Sequence, residues 1–241
     1  MKKIRKTNEL LWIFGIIFVA LGVSICSKAN LGVSMIAAPA FIISEALLPL
    51  HSLFTVGVVE YIFQGLLLFI LCVVIRNFNW RFLLAFSVAV LYGYTLDFFL
   101  WSLSGIEFNS ILLRWIMLVV GDCITAFGVA CFFKTYMPLQ VYELFVSELT
   151  SKFKVEISKT KSMFDISLLI ISVILALVLF GDVKTFDWSS FYYSSFHNIG
   201  LGTFVTTIIN APLISFSGKI IGKIFEPTPR FSKLEKLLKR N

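Results

Sequence analysis

The segment ILLRWIMLVVGDCITAFGVACFF, residues 111–133, decides the fold class of this chain. Only Arg114 and Asp122 in this segment carry a charge. A helix rises about 1.5 Å per residue, so about 20 apolar residues cross the hydrocarbon core of a bilayer. The segment therefore predicts a membrane-spanning helix.

Five further segments share this length and apolar character, and they are residues 9–27, 54–75, 82–102, 163–181 and 199–224. Of the 241 residues, 58% are hydrophobic and 15% are charged, whereas a soluble domain has about 25% charged residues. This composition excludes a soluble enzyme, a disordered chain and a small secreted domain held by disulfides. We predict an all-α fold, a polytopic membrane bundle of six transmembrane helices that forms one domain over residues 1–241.

The basic residues predict the orientation of the helices. Eighteen of the 21 Lys and Arg residues fall in the N-terminal tail, in loops 76–81 and 134–161, and at the C-terminal end. The other three are Lys28, Arg114 and Lys184. Because cytoplasmic loops of membrane proteins are enriched in Lys and Arg, both termini are expected to be cytoplasmic.

The C-terminal tail, residues 228–241, has the pattern of an interfacial helix. Phe231, Leu234, Leu237 and Leu238 fall on one helical face, and basic residues occupy the other. Such a face favours binding to an anionic membrane surface, where the tail anchors the topology.

The sequence contains a weak internal repeat. Residues 22–34 resemble residues 128–140 at an offset of 106, which pairs Gly22 with Gly128, Val23 with Val129 and Lys28 with Lys134. In each half, a long helix is followed by a connection that holds a short helix and then by two further spans. The short helices are expected at residues 34–49 and 138–153.

These features predict two repeats of three spans each, residues 9–102 and 111–224. An odd number of spans per repeat forces the halves into opposite orientations, as in many secondary transporters. The first short helix is apolar on nearly every face, which indicates a re-entrant segment with Ser34 as its N-cap. The second is amphipathic and is expected to lie along the inner membrane interface.

Several motifs of small residues resemble one family. They are Lys28-Ala-Asn-Leu-Gly-Val-Ser34, Met137-Pro-Leu139, Gly200-Leu-Gly-Thr203 and Asn210-Ala-Pro212. Together they are similar to the YczE/YyaS/YitT-type integral membrane proteins over most of the chain. The chain departs from that pattern where Met35 follows the first motif and Pro is delayed to Pro39. The resemblance implies a bacterial inner-membrane protein with an expected role in transport, and it assigns no substrate and no functional residues.

Ionisable residues inside the membrane point to a candidate site. Asp122 lies about 16 Å inside its helix, at the midplane, with no basic residue beside it on that helix. A buried charge costs at least about 2.5–3.5 kcal/mol, so a midplane carboxylate is a candidate site for a proton or cation. Asn210 and Pro212 fall at a similar depth, and Glu60 is a weaker candidate. An interhelical hydrogen bond from a protonated Asp122 is the structural alternative.

Two further pairs of charges are expected to be structural. Asp97 and Arg114 lie near the outer ends of neighbouring spans, where they can form an ion pair. Asp165 lies one helical turn after Lys161 and can pair with it.

No pattern indicates an enzyme, a cofactor or a metal site. Four Cys residues lie apart in apolar runs, the two His residues are far apart in sequence, and no nucleotide-binding motif occurs. We expect no nucleic-acid partner, because no soluble basic domain is present. The expected partners are the lipid bilayer and a small solute or ion of unknown identity. Small-residue stripes at Ala85, Ala89 and Gly93, and at Gly218 and Gly222, indicate helix contacts or a homodimer face.

Three functions fit these features. The first is a secondary transporter coupled to protons or cations, which the inverted halves and Asp122 favour. The second is the substrate-binding membrane subunit of an ATP-driven importer. The third is an assembly or sensor protein that transports nothing.

Overall fold

The computed structural model describes residue 4, residues 8–76, 78–181, 197–226 and 228–231, and the single residues 235 and 238. Within them the chain forms eight helices: α1 (Asn8–Ala29), α2 (Ala38–Leu47), α3 (Val56–Ile75), α4 (Arg81–Ser102), α5 (Ile111–Phe133), α6 (Val141–Phe153), α7 (Ile157–Phe180) and α8 (Leu201–Ile224). All but α2 and α6 are long and apolar enough to cross a membrane. The predicted all-α bundle with six membrane-length helices is therefore confirmed.

The described residues nearest the two termini meet at one end of the bundle. The Ile4 N–H donates to the Ile224 carbonyl at 3.1 Å, and the Glu226 N–H donates to the Ile4 carbonyl at 2.9 Å. Glu9 in the first turn of α1 accepts the N–H of Phe231 at 3.1 Å. We call this the terminal end and the opposite one the distal end. An even number of crossings requires this arrangement, whereas assignment of the terminal end to the cytoplasm stays a prediction.

The helix α7 begins six residues before its predicted apolar span. Its first turns contain polar residues, and the Thr160 hydroxyl donates to the carbonyl of Glu156. Lys161 pairs with Asp165 one turn later, inside the protein. The helix therefore continues past the apolar run because its polar residues find partners within the protein.

Helices α1 and α5 pack antiparallel through glycines. A Cβ at Gly128 would lie 2.9 Å from the carbonyl oxygen of Gly15, and a Cβ at Gly22 would lie 2.5 Å from that of Gly121. Either distance is too short for a side chain. The two helices can approach this closely only because glycine occupies all four positions.

The remaining helices surround this central pair. α1 also packs against α4, and α5 packs against α8. α3 packs against α4, and α7 packs against α8. Each short helix, α2 or α6, lies against both α3 and α7. The stripe of Ala85, Ala89 and Gly93 serves the contact within the chain, because Gly93 packs on Gly57 of α3.

The helix α6 enters the bundle instead of lying along its surface. Residues 141–146 are buried, and Tyr142 faces Glu60 near the distal start of α3. At the other end of α6, the Lys152 ammonium donates to the Val74 carbonyl near the terminal end of α3, at 2.6 Å. α6 therefore begins inside the protein and runs out to the terminal end. The predicted interfacial position is wrong because the apolar stripe of α6 packs against α3 and α7.

The segment that leads into α6 is tied to α1. The Trp12 indole N–H donates to the Pro138 carbonyl at 2.9 Å, and the Tyr136 hydroxyl donates to Glu9 at 2.6 Å. Burial and the Glu9 carboxylate raise the pKa of Tyr136, so its hydroxyl keeps its proton at neutral pH. These bonds hold the chain as it turns back from α5 into the bundle.

The helix α2 is buried at its start. Residues 38–42 are buried, whereas Leu48 and Leu50, which follow the end of the helix at Leu47, are exposed. The re-entry of this apolar helix into the membrane stays a prediction. The helix begins at Ala38 with Pro39 in its first turn, and no side chain caps it. The predicted cap, Ser34, instead offers its backbone carbonyl to the N–H of Ala38 at 2.9 Å.

The loop between α1 and α2 packs on the start of α8. The Val33 N–H donates to the Asn198 carbonyl at 2.9 Å, and the Gly202 N–H donates to the Leu31 carbonyl at 2.8 Å. Gly32 has a φ of 102°, which favours glycine. Two motifs of the family resemblance, residues 28–34 and 200–203, thus meet in space.

One prediction lies largely outside the described residues. It is the amphipathic helix predicted for the C-terminal tail, residues 228–241, of which the structure describes residues 228–231, 235 and 238.

Candidate functional site

Asp122 and Asn210 are brought together in the interior. The Asn210 side-chain amide donates to Asp122 Oδ1 at 2.8 Å, and both residues are fully buried. Asp122 lies halfway along α5, and Asn210 lies in the first half of α8. Pro212 lies within α8 but is exposed. Its ring therefore does not line the same site, contrary to the prediction, because two residues along a helix point in nearly opposite directions.

Glu60 lies in a second buried polar group. The Gln64 side-chain amide donates to Glu60 Oε1 at 3.2 Å, and both residues are fully buried on α3. The Tyr142 hydroxyl of α6 faces the Glu60 carboxyl group, but the two do not form a hydrogen bond. Glu60 therefore has contacts with α6 that its sequence position did not indicate.

A buried ion pair lies between these two groups. Lys161 Nζ and Asp165 Oδ1 are 2.5 Å apart on α7, and their side chains are 7% and 0% exposed. The pairing was predicted, but its burial was not. Asp122 and Glu143 each lie close enough to interact electrostatically with both members of the pair.

Glu143 is a site residue that the sequence did not reveal. It is buried in the first turn of α6, whereas the sequence pattern places it on the polar side of an amphipathic helix. Glu143 also lies within electrostatic range of Glu60. Nothing in the sequence indicated this burial, because acidic residues are common in the first turn of helices that are exposed to solvent.

These residues form one buried polar core. We define the polar core as Glu60, Gln64, Asp122, Tyr142, Glu143, Lys161, Asp165 and Asn210. They come from α3, α5, α6, α7 and α8. Four of them carry carboxyl groups, and one carries an ammonium group.

The polar core holds polar atoms that have no hydrogen-bond partner among the described residues. They are Glu60 Oε2, Gln64 Oε1, Asp122 Oδ2, Tyr142 OH, Glu143 Oε2, Asp165 Oδ2 and Asn210 Oδ1. All except the Tyr142 hydroxyl are acceptor oxygens. Buried acceptors without donors are costly, so this arrangement calls for protons, water or a ligand that donates hydrogen bonds.

The charge balance of the polar core leads to the same requirement. Four ionised carboxylates against Lys161 would leave three excess negative charges in a buried site. Such charge is too costly to keep without neutralisation. Protons on some of the carboxyl groups, or a bound cationic group, can supply it.

Within the part of the chain that the structure describes, no three His, Cys, Asp or Glu side chains lie close enough together to hold a metal ion.

The sequence comparisons place this architecture in a known family. Residues 6–219 match the profile of a family of unknown function, DUF6198. The chain belongs to DUF6198. None of the curated proteins and none of the solved structures compared with it matches. The similarity to YczE/YyaS/YitT-type proteins stays a prediction.

The ion pair predicted between Asp97 and Arg114 is not formed in this DUF6198 protein. Asp97 instead accepts the Thr55 hydroxyl at 2.6 Å and the Gly57 N–H at 2.8 Å. The Arg114 Nε donates to the Phe108 carbonyl at 2.7 Å. The start of α3 attracts Asp97 because the first N–H groups of a helix lack partners within the helix.

Proposed function

We propose that this protein is a secondary transporter of a small solute, driven by protons or cations that bind the polar core. The observation that carries this proposal is the excess of buried carboxyl groups, four against the single ammonium of Lys161, with unpartnered acceptor oxygens beside them. Groups that must be neutralised inside a membrane are suited to binding and releasing protons. A polar core with a purely structural role has no need of this excess of carboxyl groups.

We further propose that the two halves are inverted repeats, and the α1–α5 contact supports this. The offset of 106 relates Gly15 to Gly121 and Gly22 to Gly128. It therefore converts the contact between Gly15 and Gly128 into the contact between Gly121 and Gly22, which also exists. A contact that maps onto itself between antiparallel helices is expected for a two-fold axis perpendicular to them, in the membrane plane.

The neighbours of each helix support the same symmetry. Exchange of α1–α4 with α5–α8 converts the α1–α4 contact into α5–α8, and α3–α4 into α7–α8. It also converts the α2–α7 contact into the α6–α3 contact. Each re-entrant helix thus touches the other half of the molecule in the same way.

This arrangement suggests how access to the polar core alternates. Glu60 and Gln64 belong to the first half, and the other members of the polar core belong to the second. Rocking of one half against the other along the glycine contact of α1 and α5 would expose the polar core to each side in turn. From the family resemblance and the basic residues, we place the protein in the bacterial inner membrane with both termini in the cytoplasm.

Liposomes that contain the purified protein and a trapped pH-sensitive dye test the proposal. A panel of small solutes is added outside, and solute-dependent acidification of the lumen is measured. We expect at least one solute to produce it in the wild type and none in Asp122→Asn, because an amide cannot carry the proton. The matched control is Asp97→Asn, which lies outside the polar core and should retain the flux. Equal flux through wild type and Asp122→Asn would contradict the proposal, and co-purification with an ATPase would favour the importer subunit.

A further inference from the structure

A crevice of about 490 Å³ lies between α5, α7 and α8. Its lining includes three lysines, Lys134, Lys161 and Lys219, and two serines, Ser158 and Ser215. It contains the terminal end of α5 and the first turns of α7, so it opens toward the terminal end of the bundle. Its volume falls in the range of about 300–1,000 Å³ that small-molecule sites occupy.

The lysines are placed at different depths of this crevice. Lys134 and Lys219 are exposed, and neither forms an ion pair with a described residue. Lys161 is buried and holds Asp165 behind it. The crevice therefore has an open mouth with two cations and an inner wall with a third.

The glycine stripe of α8 lies beside one of these lysines. The Lys134 side chain extends past Gly218 and Gly222, and its Cε would lie 3.8 Å from a Cβ at Gly218. The stripe therefore contacts a lysine of the same chain, besides the homodimer face that its pattern also fits.

The start of α7 adds further donors to the crevice. Ile157 and Ser158, the first two residues of α7, line it. The preceding residue, Glu156, makes no capping hydrogen bond with its side chain. The first N–H groups of a helix and its positive dipole end favour an anion.

We propose that this crevice binds a phosphate group. Lys134 and Lys219 hold the phosphate at the mouth of the crevice, and Lys161 and the first N–H groups of α7 hold it from the inner wall. With Lys161 paired to Asp165, Lys134 and Lys219 are two positive charges of the lining that form no ion pair with a described residue, and they match a doubly charged phosphate. Serine hydroxyls and lysine ammonium groups commonly donate hydrogen bonds to the oxygens of a phosphate group. The proposal does not depend on transport, because it concerns binding alone.

The crevice reaches toward the polar core. Ala211 lines it, and the preceding residue is Asn210, the partner of Asp122. A phosphate-bearing solute in the crevice would therefore lie next to the site proposed for protons. A phospholipid headgroup offers the same phosphate oxygens with a single negative charge, and it is the second possible source of the phosphate.

Binding of inorganic phosphate to the purified full-length protein in an uncharged detergent tests the proposal. Calorimetric titration is run at constant ionic strength, with chloride replaced by phosphate. We expect saturable binding that weakens about tenfold or more in Lys134→Gln/Lys219→Gln, because each loss removes a charged hydrogen bond. The control is Lys223→Gln, an exposed lysine on α8 outside the crevice lining, which should bind as the wild type does.

A second arm distinguishes the two sources of phosphate. The protein is prepared in nanodiscs that contain phosphatidylglycerol, and lipid retention is measured by native mass spectrometry. Phosphatidylglycerol retention that depends on Lys134 and Lys219, without binding of inorganic phosphate, assigns the crevice to lipid. Binding of inorganic phosphate assigns it to a soluble ligand.

The proposal is overturned if neither probe depends on Lys134 and Lys219 while circular dichroism shows that the variants are folded. Both substitutions replace exposed side chains, so folding is expected to survive. Because these measurements need no transport, their failure leaves the transporter proposal untouched. Failure of solute-dependent flux likewise leaves the phosphate proposal standing.

Discussion

Asp122 depends on a single hydrogen-bond partner among the described residues, the side-chain amide of Asn210. This partner comes from another helix, 88 positions away in the sequence. A carboxyl group buried at this depth lies away from bulk solvent, so the loss of its partner is costly. The pair therefore contributes both to the stability of the α5–α8 contact and to the state of the polar core.

Asn210→Ala should lower the free energy of unfolding by about 1–3 kcal/mol, because it leaves the Asp122 carboxyl group buried and unpaired. Unfolding in detergent, followed by circular dichroism, measures the change. In an Asp122→Ala background the same substitution should cost less. Equal costs in the two backgrounds would contradict a direct interaction.

Lys161→Met should lower the free energy of unfolding by about 3–5 kcal/mol, because it leaves Asp165 as an uncompensated buried charge. The double variant Lys161→Met/Asp165→Leu should recover much of this loss, since it removes both charges. Thermal unfolding of the three proteins makes the comparison. A double variant no more stable than Lys161→Met would show that the pair is not the source of the effect.

At the scale of the helices, the closest contacts depend on residues without side chains. α1 meets α5 through Gly15, Gly22, Gly121 and Gly128, and Gly57 of α3 meets α4. Membrane helices associate through such close packing, because lipid tails are as apolar as the helices and the hydrophobic effect does not drive the helices together. These contacts therefore determine which helices are neighbours.

Gly22→Leu should lower the melting temperature and the yield of monodisperse protein, because its side chain would overlap the backbone of α5. Overpacking of this kind costs about 1–3 kcal/mol or more. The matched control is Gly105→Leu, since no atom lies within 4 Å of a Cβ at Gly105. Similar losses in the two variants would show that the α1–α5 contact is not the cause.

Asp97→Ala should lower the free energy of unfolding by about 1–3 kcal/mol, because it removes the acceptor for the Thr55 hydroxyl and the Gly57 N–H. Its effect should add to that of Arg114→Ala in the double variant. Thermal unfolding of the two single variants and the double variant measures this. A coupling energy between the two substitutions would contradict this expectation and would support the ion pair predicted between Asp97 and Arg114.

At the scale of the whole molecule, Ile4, Phe231 and the ends of α3 and α6 lie at the terminal end. Most of the basic residues belong to segments that return to this end. The positive-inside rule therefore predicts that the entire terminal end, including the mouth of the crevice, faces the cytoplasm. A phosphate-bearing ligand would then reach the crevice from the cytoplasm or the inner leaflet.

Cysteine labelling tests this orientation in a background with the four native cysteines replaced by serine. Gly105→Cys at the distal end should react with a membrane-impermeant reagent in intact cells. Lys159→Cys, whose native side chain is exposed near the start of α7, should react only after the cells are permeabilised. The reverse pattern would contradict the predicted orientation.

The sequence alone determined the six membrane-length helices, their order and the central position of Asp122 in α5. These properties depend on apolar runs and on distance along a helix, which are local and additive. The approximate positions of both short helices, and the pairing of Lys161 with Asp165, also follow from spacing along one segment. Local reasoning was adequate wherever the partners lie on the same element.

The tertiary structure decided which groups meet across elements. It paired Asp97 with the start of α3 instead of with Arg114, buried the first half of α6, and brought Glu143 within electrostatic range of Lys161. It also turned Pro212 outward while placing Asn210 against Asp122. Hydropathy cannot predict these outcomes, because a buried polar group takes its partner from whichever helix packs against it, and that packing depends on shape complementarity between distant segments.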